Sequence, residues 1–117
     1  MHNYKKLQVW QDAVEIAVEV YALTKNFPSS EQFGLVSQLR RASVSVASNI
    51  AEGSGRNNNK EFNHFLGLAA GSSYELETQL IITSKLEFCD QNLLDSLIEK
   101  IEINQKMIYQ LKNRLTE

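Results

Sequence analysis

Apolar positions in the first quarter of the chain recur with the spacing of a helix, and they form two stripes rather than one. Polar side chains between about Lys6 and Phe27 are confined to a narrow arc. The first stripe contains Trp10, Val14, Ala17 and Tyr21. The second stripe contains Val9, Ala13, Ile16, Val20 and Leu23. Such a helix either contacts a second subunit or lies deeply embedded in an asymmetric monomer. We expect a second subunit, because large apolar patches rarely stay exposed.

A second helix is predicted after Pro28, which ends the first. Ser29 and Gln32 have the spacing of a capping box, and the helix continues to about Glu52. Its apolar stripe contains Leu35, Leu39, Ala42, Val46 and Ile50. A polar stripe runs beside it and is a candidate polar interface, formed by Gln38, Arg41, Ser45, Asn49 and Glu52.

The remaining sequence predicts two further helices with recognisable N-terminal caps. Asn58 caps the third helix, which runs to about Ser84, and Asp90 caps the fourth, which runs to about Leu115. In the third helix, two glycines lie one turn apart, and each costs about 1 kcal/mol relative to alanine. This cost indicates a close backbone contact. The candidate oligomer or close-packing face therefore contains Val9, Ile16, Val20, Leu23, Gly67 and Gly71.

Four helices with short connections predict an all-α fold in which successive helices are antiparallel neighbours. We therefore expect an up-down-up-down four-helix bundle, with residues 1–117 forming a single domain. Asn104 falls within the apolar seam of the fourth helix, where a polar residue can fix the register of packing at some cost in stability.

Composition narrows the classes of function. The chain has 117 residues, a net charge of −2 and a pI of about 5.7, so its bulk charge gives no support to nucleic-acid binding. The net charge does not exclude a local basic patch on the surface. One cysteine cannot form an intrachain disulfide, which favours a reducing compartment. No signal-peptide pattern and no apolar run of about 18 residues occur, so we expect a cytoplasmic protein without a membrane partner.

Candidate catalytic and metal-binding groups are scarce. The histidines are His2 and His64; Glu61 lies three residues before His64, but a di-iron bundle requires two such Glu-x-x-His pairs, and this sequence contains one. Nothing beside His64 suggests a nucleophile, and Cys89 stands apart from both histidines. We therefore predict no catalytic residues, no metal, no cofactor and no enzymatic activity.

Basic residues near helix ends and on the second helix are the candidate nucleic-acid or anion contacts. They are Arg40, Arg41, Arg56 and Lys60. The alternative for Arg41 is a network between helices or subunits, in which it pairs with a carboxylate, because polar groups on a packed face need partners. The alternative for Arg56 and Lys60 is a solvated helix end. The hypothesis of phosphate contact gains support if symmetry gathers several copies of these arginines in one ring, because the local field there is not described by the net charge of one chain.

Several sequence blocks resemble a known family. They lie at residues 4–10, 27–31, 38–53, 60–62 and 70–80, and include Asn-Ile-Ala-Glu-Gly at 49–53 and Gly-Ser-x-x-Glu-Leu-Glu at 71–77. Together they resemble the bacterial four-helix-bundle proteins encoded in intervening sequences of large-subunit ribosomal RNA genes. The resemblance implies a homopentameric ring. The family is similar to the accessory variability protein of diversity-generating retroelements, which is basic and works with reverse transcriptase and nucleic acid, whereas this chain is mildly acidic.

These observations lead to one hypothesis and one alternative. The hypothesis is a non-enzymatic homo-oligomeric scaffold, a pentamer by resemblance, that binds RNA or a nucleic-acid-binding protein through a surface of the ring. The alternative is a purely structural or protein-protein interaction module with no nucleic-acid role. The resemblance supplies no catalytic residues, because the family has no settled biochemical function.

Overall fold

The fold consists of four long helices. The computed structural model describes residues 3–116, so His2 lies outside the described part of the chain. The helices are α1 (Gln8–Thr24), α2 (Ser37–Ser54), α3 (Asn59–Leu86) and α4 (Gln91–Leu115). A single turn at Tyr4–Lys6 precedes α1, and no strand occurs among residues 3–116. The predicted all-α four-helix fold is confirmed.

Neighbouring helices are antiparallel and form a square in cross-section. Between α2 and α3, Gln38 contacts Gln79 and Ser45 contacts Ser72, so positions rise along one helix as they fall along the other. α1 packs against α2 and α4, and α3 packs against the same two helices. α1 and α3 therefore occupy diagonal corners of the bundle, which measures 44 × 23 × 20 Å.

Local capping signals set the starts of two helices. The Asn58 side chain accepts a hydrogen bond of 2.8 Å from the backbone N–H of Glu61. The Asp90 carboxylate accepts one of 3.1 Å from the backbone N–H of Asn92. Both caps satisfy amides that have no partner within their own helix. Both predicted caps are confirmed.

The predicted start of the second helix is wrong. Ser29 makes no capping hydrogen bond but lies in a single 3₁₀ turn, Ser29–Glu31. A π-helical stretch, Gln32–Val36, follows, and Gly34 within it has φ −107° and ψ −107°. Regular α-helix begins only at Ser37. Leu35 and Val36 are buried, so tertiary packing decides the conformation of this segment over the local capping pattern.

The core fills the centre of the bundle along its length. One half is built around Val20, Leu39, Leu76, Leu80 and Leu94. The other half is built around Ala13, Ile50, Phe62, Leu66 and Ile108. Asn104 is only 2% exposed, and its Nδ2 donates a hydrogen bond of 3.0 Å to the Val9 carbonyl oxygen. This bond ties α4 to the first turn of α1.

The structure corrects which stripe of α1 is available to another subunit. Val9, Ile16 and Val20 are buried in the chain's own core, and Leu23 packs at its edge. These four side chains therefore take the close-packing role. The large apolar side chains of α1 that remain exposed are Tyr21 of the first stripe, at 45%, and Val18, at 58%, which belongs to neither stripe.

The structure also corrects the assignment of close-packing glycines. A Cβ added at Gly71 would meet no atom within 4 Å, and one at Gly67 would meet only Lys112 Nζ at 3.5 Å. Gly53 is different, because its added Cβ would lie 2.6 Å from Phe65 Cβ. The glycine that permits two helices of this chain to approach is therefore Gly53, at the contact of α2 with α3.

Candidate functional site

An apolar groove runs between α1 and α2 on the outside of the bundle. We call it the α1–α2 groove, and its volume is about 550 Å³. Every lining residue except Ser48 is apolar or aromatic. The lining consists of Tyr4, Trp10, Val14, Ala17, Val18, Tyr21, Val44, Ala47, Ser48 and Ala51.

Residue size explains the concave shape of the α1–α2 groove. α2 contributes Ala47, Ser48 and Ala51, whose short side chains leave space, whereas the larger side chains of α1 form a wall. Val18 on that wall is 58% exposed. Trp10 closes one end with Tyr4, the two rings meeting edge to face with centroids 5.1 Å apart.

A second, polar groove lies between α2 and α3. We call it the polar groove; its volume is about 360 Å³, and it is lined by Gln38, Arg41, Ala42, Ser45, Ser72 and Glu75. The hydroxyl oxygens of Ser45 and Ser72 lie 2.9 Å apart and share a hydrogen bond across the two helices. Asn49 Nδ2 donates to the carbonyl and hydroxyl oxygens of Ser45, at 2.9 and 3.0 Å.

Most of the predicted polar stripe therefore comes together at the α2–α3 contact. Gln38, Arg41 and Ser45 line the polar groove, and Asn49 joins them through Ser45. Glu52 instead forms an ion pair of 2.6 Å with Arg56. The residues from Gln38 to Asn49 in this stripe therefore lie at the contact between α2 and α3, whereas Glu52, at the end of the stripe, forms a separate ion pair.

Gln79 is a buried residue of this region that sequence reasoning missed. Its side chain is 7% exposed, and Nε2 donates long hydrogen bonds of 3.4 Å to oxygens of Gln38 and Glu75. Its Oε1 is buried without a hydrogen-bond partner among residues 3–116. The available signal was its spacing of three residues from Leu76, which places an amide on the core side of α3.

Two of the four predicted cationic contacts are held by their own chain. Arg40 Nε donates a hydrogen bond of 2.9 Å to Thr24 Oγ1, and its guanidinium lies 4.6 Å from the centroid of the Tyr21 ring. Arg56 pairs with Glu52, and its guanidinium lies 4.6 Å from the centroid of the Phe65 ring. Such cation–π contacts favour a fixed guanidinium position.

The other two cations are exposed. Arg41 lines the polar groove, and Lys60 lies in the first turn of α3. Within residues 3–116, neither has an ion pair at 4.0 Å or less. The four cations do not share one surface of the monomer: Arg40 lies against α1, Arg41 faces α3, and Arg56 and Lys60 lie near the α2–α3 connection.

The remaining chemistry-bearing groups are dispersed. Among residues 3–116, no three His, Cys, Asp or Glu side chains are close enough to hold a metal ion together. Cys89 is half-buried, and this burial, with the neighbouring Asp90 carboxylate, raises the pKa of its thiol. Across the same described part of the chain, no helix combines the length and hydropathy that crossing a membrane requires.

Known proteins place this chain in a family. Residues 5–110 match the family described as 23S rRNA-intervening sequence protein. The fold is similar to the crystal structure, at 1.70 Å resolution, of a protein of unknown function from the S23 ribosomal protein family of Bacteroides thetaiotaomicron. The TM-score is 0.79 at 21% identity, covering 88% of this chain and 96% of the other. No curated protein matches. As the sequence blocks predicted, the chain belongs to the 23S rRNA-intervening sequence protein family.

Proposed function

We propose that this chain is a non-enzymatic subunit of a homo-oligomeric scaffold. The observation that carries the proposal is the α1–α2 groove, an apolar concave surface that the chain by itself leaves open to water. Val18, Tyr21 and Val44 on its walls are 58%, 45% and 43% exposed. A continuous apolar patch of this kind is typical of a protein-protein interface rather than of a monomer surface.

The size of the α1–α2 groove suits a helix. Its lining extends along α1 from Trp10 to Tyr21, which at 1.5 Å per residue corresponds to roughly 16 Å, or about three helical turns. Burying apolar surface contributes about 25 cal/mol per Å², and a stable interface covers on the order of 800 Å² per partner. The groove can supply the apolar centre of such an interface, and the family resemblance favours five copies.

The test is the molar mass of the protein at micromolar concentration, measured by light scattering. We expect a discrete multiple of the 13.3 kDa chain mass. Val18→Arg should reduce the mass towards that of one chain, because it places a charge on the wall of the groove. Ile103→Arg is the matched control, since Ile103 is 51% exposed on α4, away from the groove. A wild-type protein of 13.3 kDa would refute the proposal.

The second candidate function is RNA binding by the assembled scaffold. The observation in its favour is Arg41, an exposed guanidinium beside the hydroxyl groups of Ser45 and Ser72 in the polar groove. The family description refers to intervening sequences of 23S rRNA. Several copies of Arg41 in one assembly would create a positive field that the net charge of the chain does not describe.

A titration with structured RNA at two salt concentrations tests RNA binding. If Arg41 contacts phosphate, the affinity falls as salt rises, because each contact releases counterions. Arg41→Gln should weaken binding and reduce that salt dependence, whereas Lys106→Gln on α4 should leave both unchanged. Absence of binding, or binding indifferent to salt, would leave the protein-protein interaction module as the function.

A further inference from the structure

The polar groove between α2 and α3 contains two opposite charges that do not pair with each other. Arg41 of α2 and Glu75 of α3 both line this groove of about 360 Å³. Among residues 3–116, the two ion pairs involve other side chains, so the guanidinium and the carboxylate lie more than 4.0 Å apart. Both side chains are exposed, and each charge is therefore open to a ligand from solution.

The two hydroxyl groups of the polar groove leave one donor unused. Ser45 Oγ and Ser72 Oγ lie 2.9 Å apart, and this contact uses one of their two hydroxyl protons. Asn49 Nδ2 donates to Ser45 Oγ at 3.0 Å, which favours Ser45 as the donor to Ser72. Ser72 makes no other hydrogen bond among residues 3–116, so its own hydroxyl proton is available to an acceptor in the groove.

The buried amide of Gln79 brings two oxygen atoms of the polar groove together. Its Nε2 donates to Gln38 Oε1 and to Glu75 Oε1, each at 3.4 Å. These bonds are long, so both oxygens keep the capacity to accept from a stronger donor. Oε1 of the same amide is buried without a partner in the described part of the chain, and a buried acceptor in this state costs stability. This cost is accounted for if Gln79 positions the two oxygens for a ligand.

We propose that the polar groove binds a small zwitterion of the amino-acid class. The carboxylate of this ligand accepts hydrogen bonds from the Arg41 guanidinium and from the unused hydroxyl proton of Ser72. Its ammonium group donates to Glu75 and Gln38, through the two oxygens that Gln79 positions. One chain supplies every contact, so this site depends neither on the proposed homo-oligomer nor on RNA binding.

The dimensions of the polar groove suit a ligand of this size. Gln38 and Ser45, at its two ends, are seven residues apart on α2, which corresponds to about 10 Å at 1.5 Å per residue. Arg41 lies between them, and the short side chain of Ala42 leaves space beside it. The acceptor oxygens therefore lie towards one end and the hydroxyl groups at the other. A molecule whose opposite charges are a few bonds apart can contact both groups at once.

Charge selects a zwitterion over a simple anion or cation. An anion that approaches Arg41 also approaches Glu75 in the same groove, and like charges repel each other. A cation at Glu75 meets the corresponding repulsion from Arg41. A zwitterion is attracted at both ends, and each of its contacts is a charge-assisted hydrogen bond, roughly twice as strong as a neutral one.

Saturation-transfer difference NMR with defined probes tests the site. The zwitterionic probes are glycine, L-alanine, L-serine and 4-aminobutyrate. Propionate and ethylamine carry one charge each, and methyl phosphate represents a phosphate anion. We expect at least one zwitterion to bind, and to bind about tenfold or more tightly than propionate, ethylamine or methyl phosphate, because each of these lacks one of the two charged contacts.

Matched variants show whether binding occurs in the polar groove. Arg41→Gln and Glu75→Gln should each weaken binding of the zwitterion by about tenfold. Lys106→Gln and Glu99→Gln, at exposed positions on α4, should leave it unchanged. Gln79→Met should weaken binding but raise the urea midpoint of unfolding, because it removes the buried oxygen without a partner. A purely structural role of Gln79 would lower that midpoint instead.

Two kinds of result would overturn the proposal. The first is that no zwitterion binds, or that Arg41→Gln and Glu75→Gln leave its binding unchanged. The second is that methyl phosphate binds more tightly than every zwitterion and that Glu75→Gln strengthens its binding, since removal of a repulsive carboxylate helps an anion. That second result would assign Arg41 to phosphate. A wild-type monomer in light scattering would refute the homo-oligomer and leave this site unaffected.

Discussion

Replacing Gly53 by alanine tests the packing of α2 on α3. The added Cβ would lie 2.6 Å from Phe65 Cβ, 3.0 Å from Phe62 Cδ1 and 3.3 Å from the Phe62 carbonyl oxygen. Two of these atoms belong to, or lie next to, the backbone of α3 and cannot swing aside. The two helices must therefore move apart at this point. Gly53 is the last residue of the Asn-Ile-Ala-Glu-Gly block at residues 49–53, one of the blocks that carry the family resemblance.

The expected loss of stability follows from two opposing effects. Overpacking of this kind costs about 1–3 kcal/mol, and the shortest contact here involves a Cβ atom, which favours the upper half of that range. Replacing glycine by alanine in a helix returns at most about 1 kcal/mol, and less near a helix end. We therefore expect the free energy of unfolding to fall by about 1.5–2.5 kcal/mol.

Urea denaturation followed by circular dichroism measures this change, and Gly71→Ala is the matched control. Both substitutions are made in the Val18→Arg background, so that assembly does not contribute to apparent stability. Gly71→Ala should raise the free energy of unfolding by about 0.5–1 kcal/mol, because its Cβ enters open space. Equal effects at the two glycines, or a stabilised Gly53→Ala protein, would contradict the described packing.

Two further predictions concern the buried Asn104 amide and the half-buried Cys89 thiol. Asn104→Ala should lower the free energy of unfolding by about 2 kcal/mol, measured by urea denaturation, since it removes the bond to the Val9 carbonyl and leaves a cavity. Because burial and Asp90 raise the pKa of the Cys89 thiol, alkylation by iodoacetamide at pH 8 should be slower in the native protein than in urea. The native state keeps the thiol proton to higher pH than the unfolded chain does. The free energy of unfolding should therefore fall as pH rises from the thiol pKa of the unfolded chain through the higher thiol pKa of the native state.

The four helices were predictable from sequence because their signals are local. Apolar periodicity is repeated over several turns in each helix, and Asn58 and Asp90 act on amides only two or three residues away. Pro28 marks the end of the first segment for the same reason. The failure at Ser29 shows the limit of local signals, because the burial of Leu35 and Val36 outweighs a weak capping pattern.

The packing faces were harder to predict because they depend on distant residues. Both stripes of α1 are apolar, and the sequence alone does not say which one matches the space beside α2 and α4. Gly53 looks like a helix terminator, yet its role comes from Phe65, twelve positions later. Gly71 looks like a close-packing residue, yet within the chain it borders open space.

The candidate site was predicted in part. Gln38, Arg41 and Ser45 share a helix face, and the structure brings all three into the polar groove. The separation of Arg40 from Arg41 was not predictable, since adjacent residues on a helix point in directions about 100° apart and only the position of α1 explains why Tyr21 receives Arg40.

The proposed function makes this chain a subunit of a larger assembly. The molar mass of the wild-type protein, measured by light scattering across micromolar concentrations, decides whether it is one. We expect one discrete species that contains several copies of the 13.3 kDa chain, five by family resemblance, and whose mass does not grow with concentration, because a closed ring leaves no contact surface free. A mass of 13.3 kDa throughout the range would contradict it.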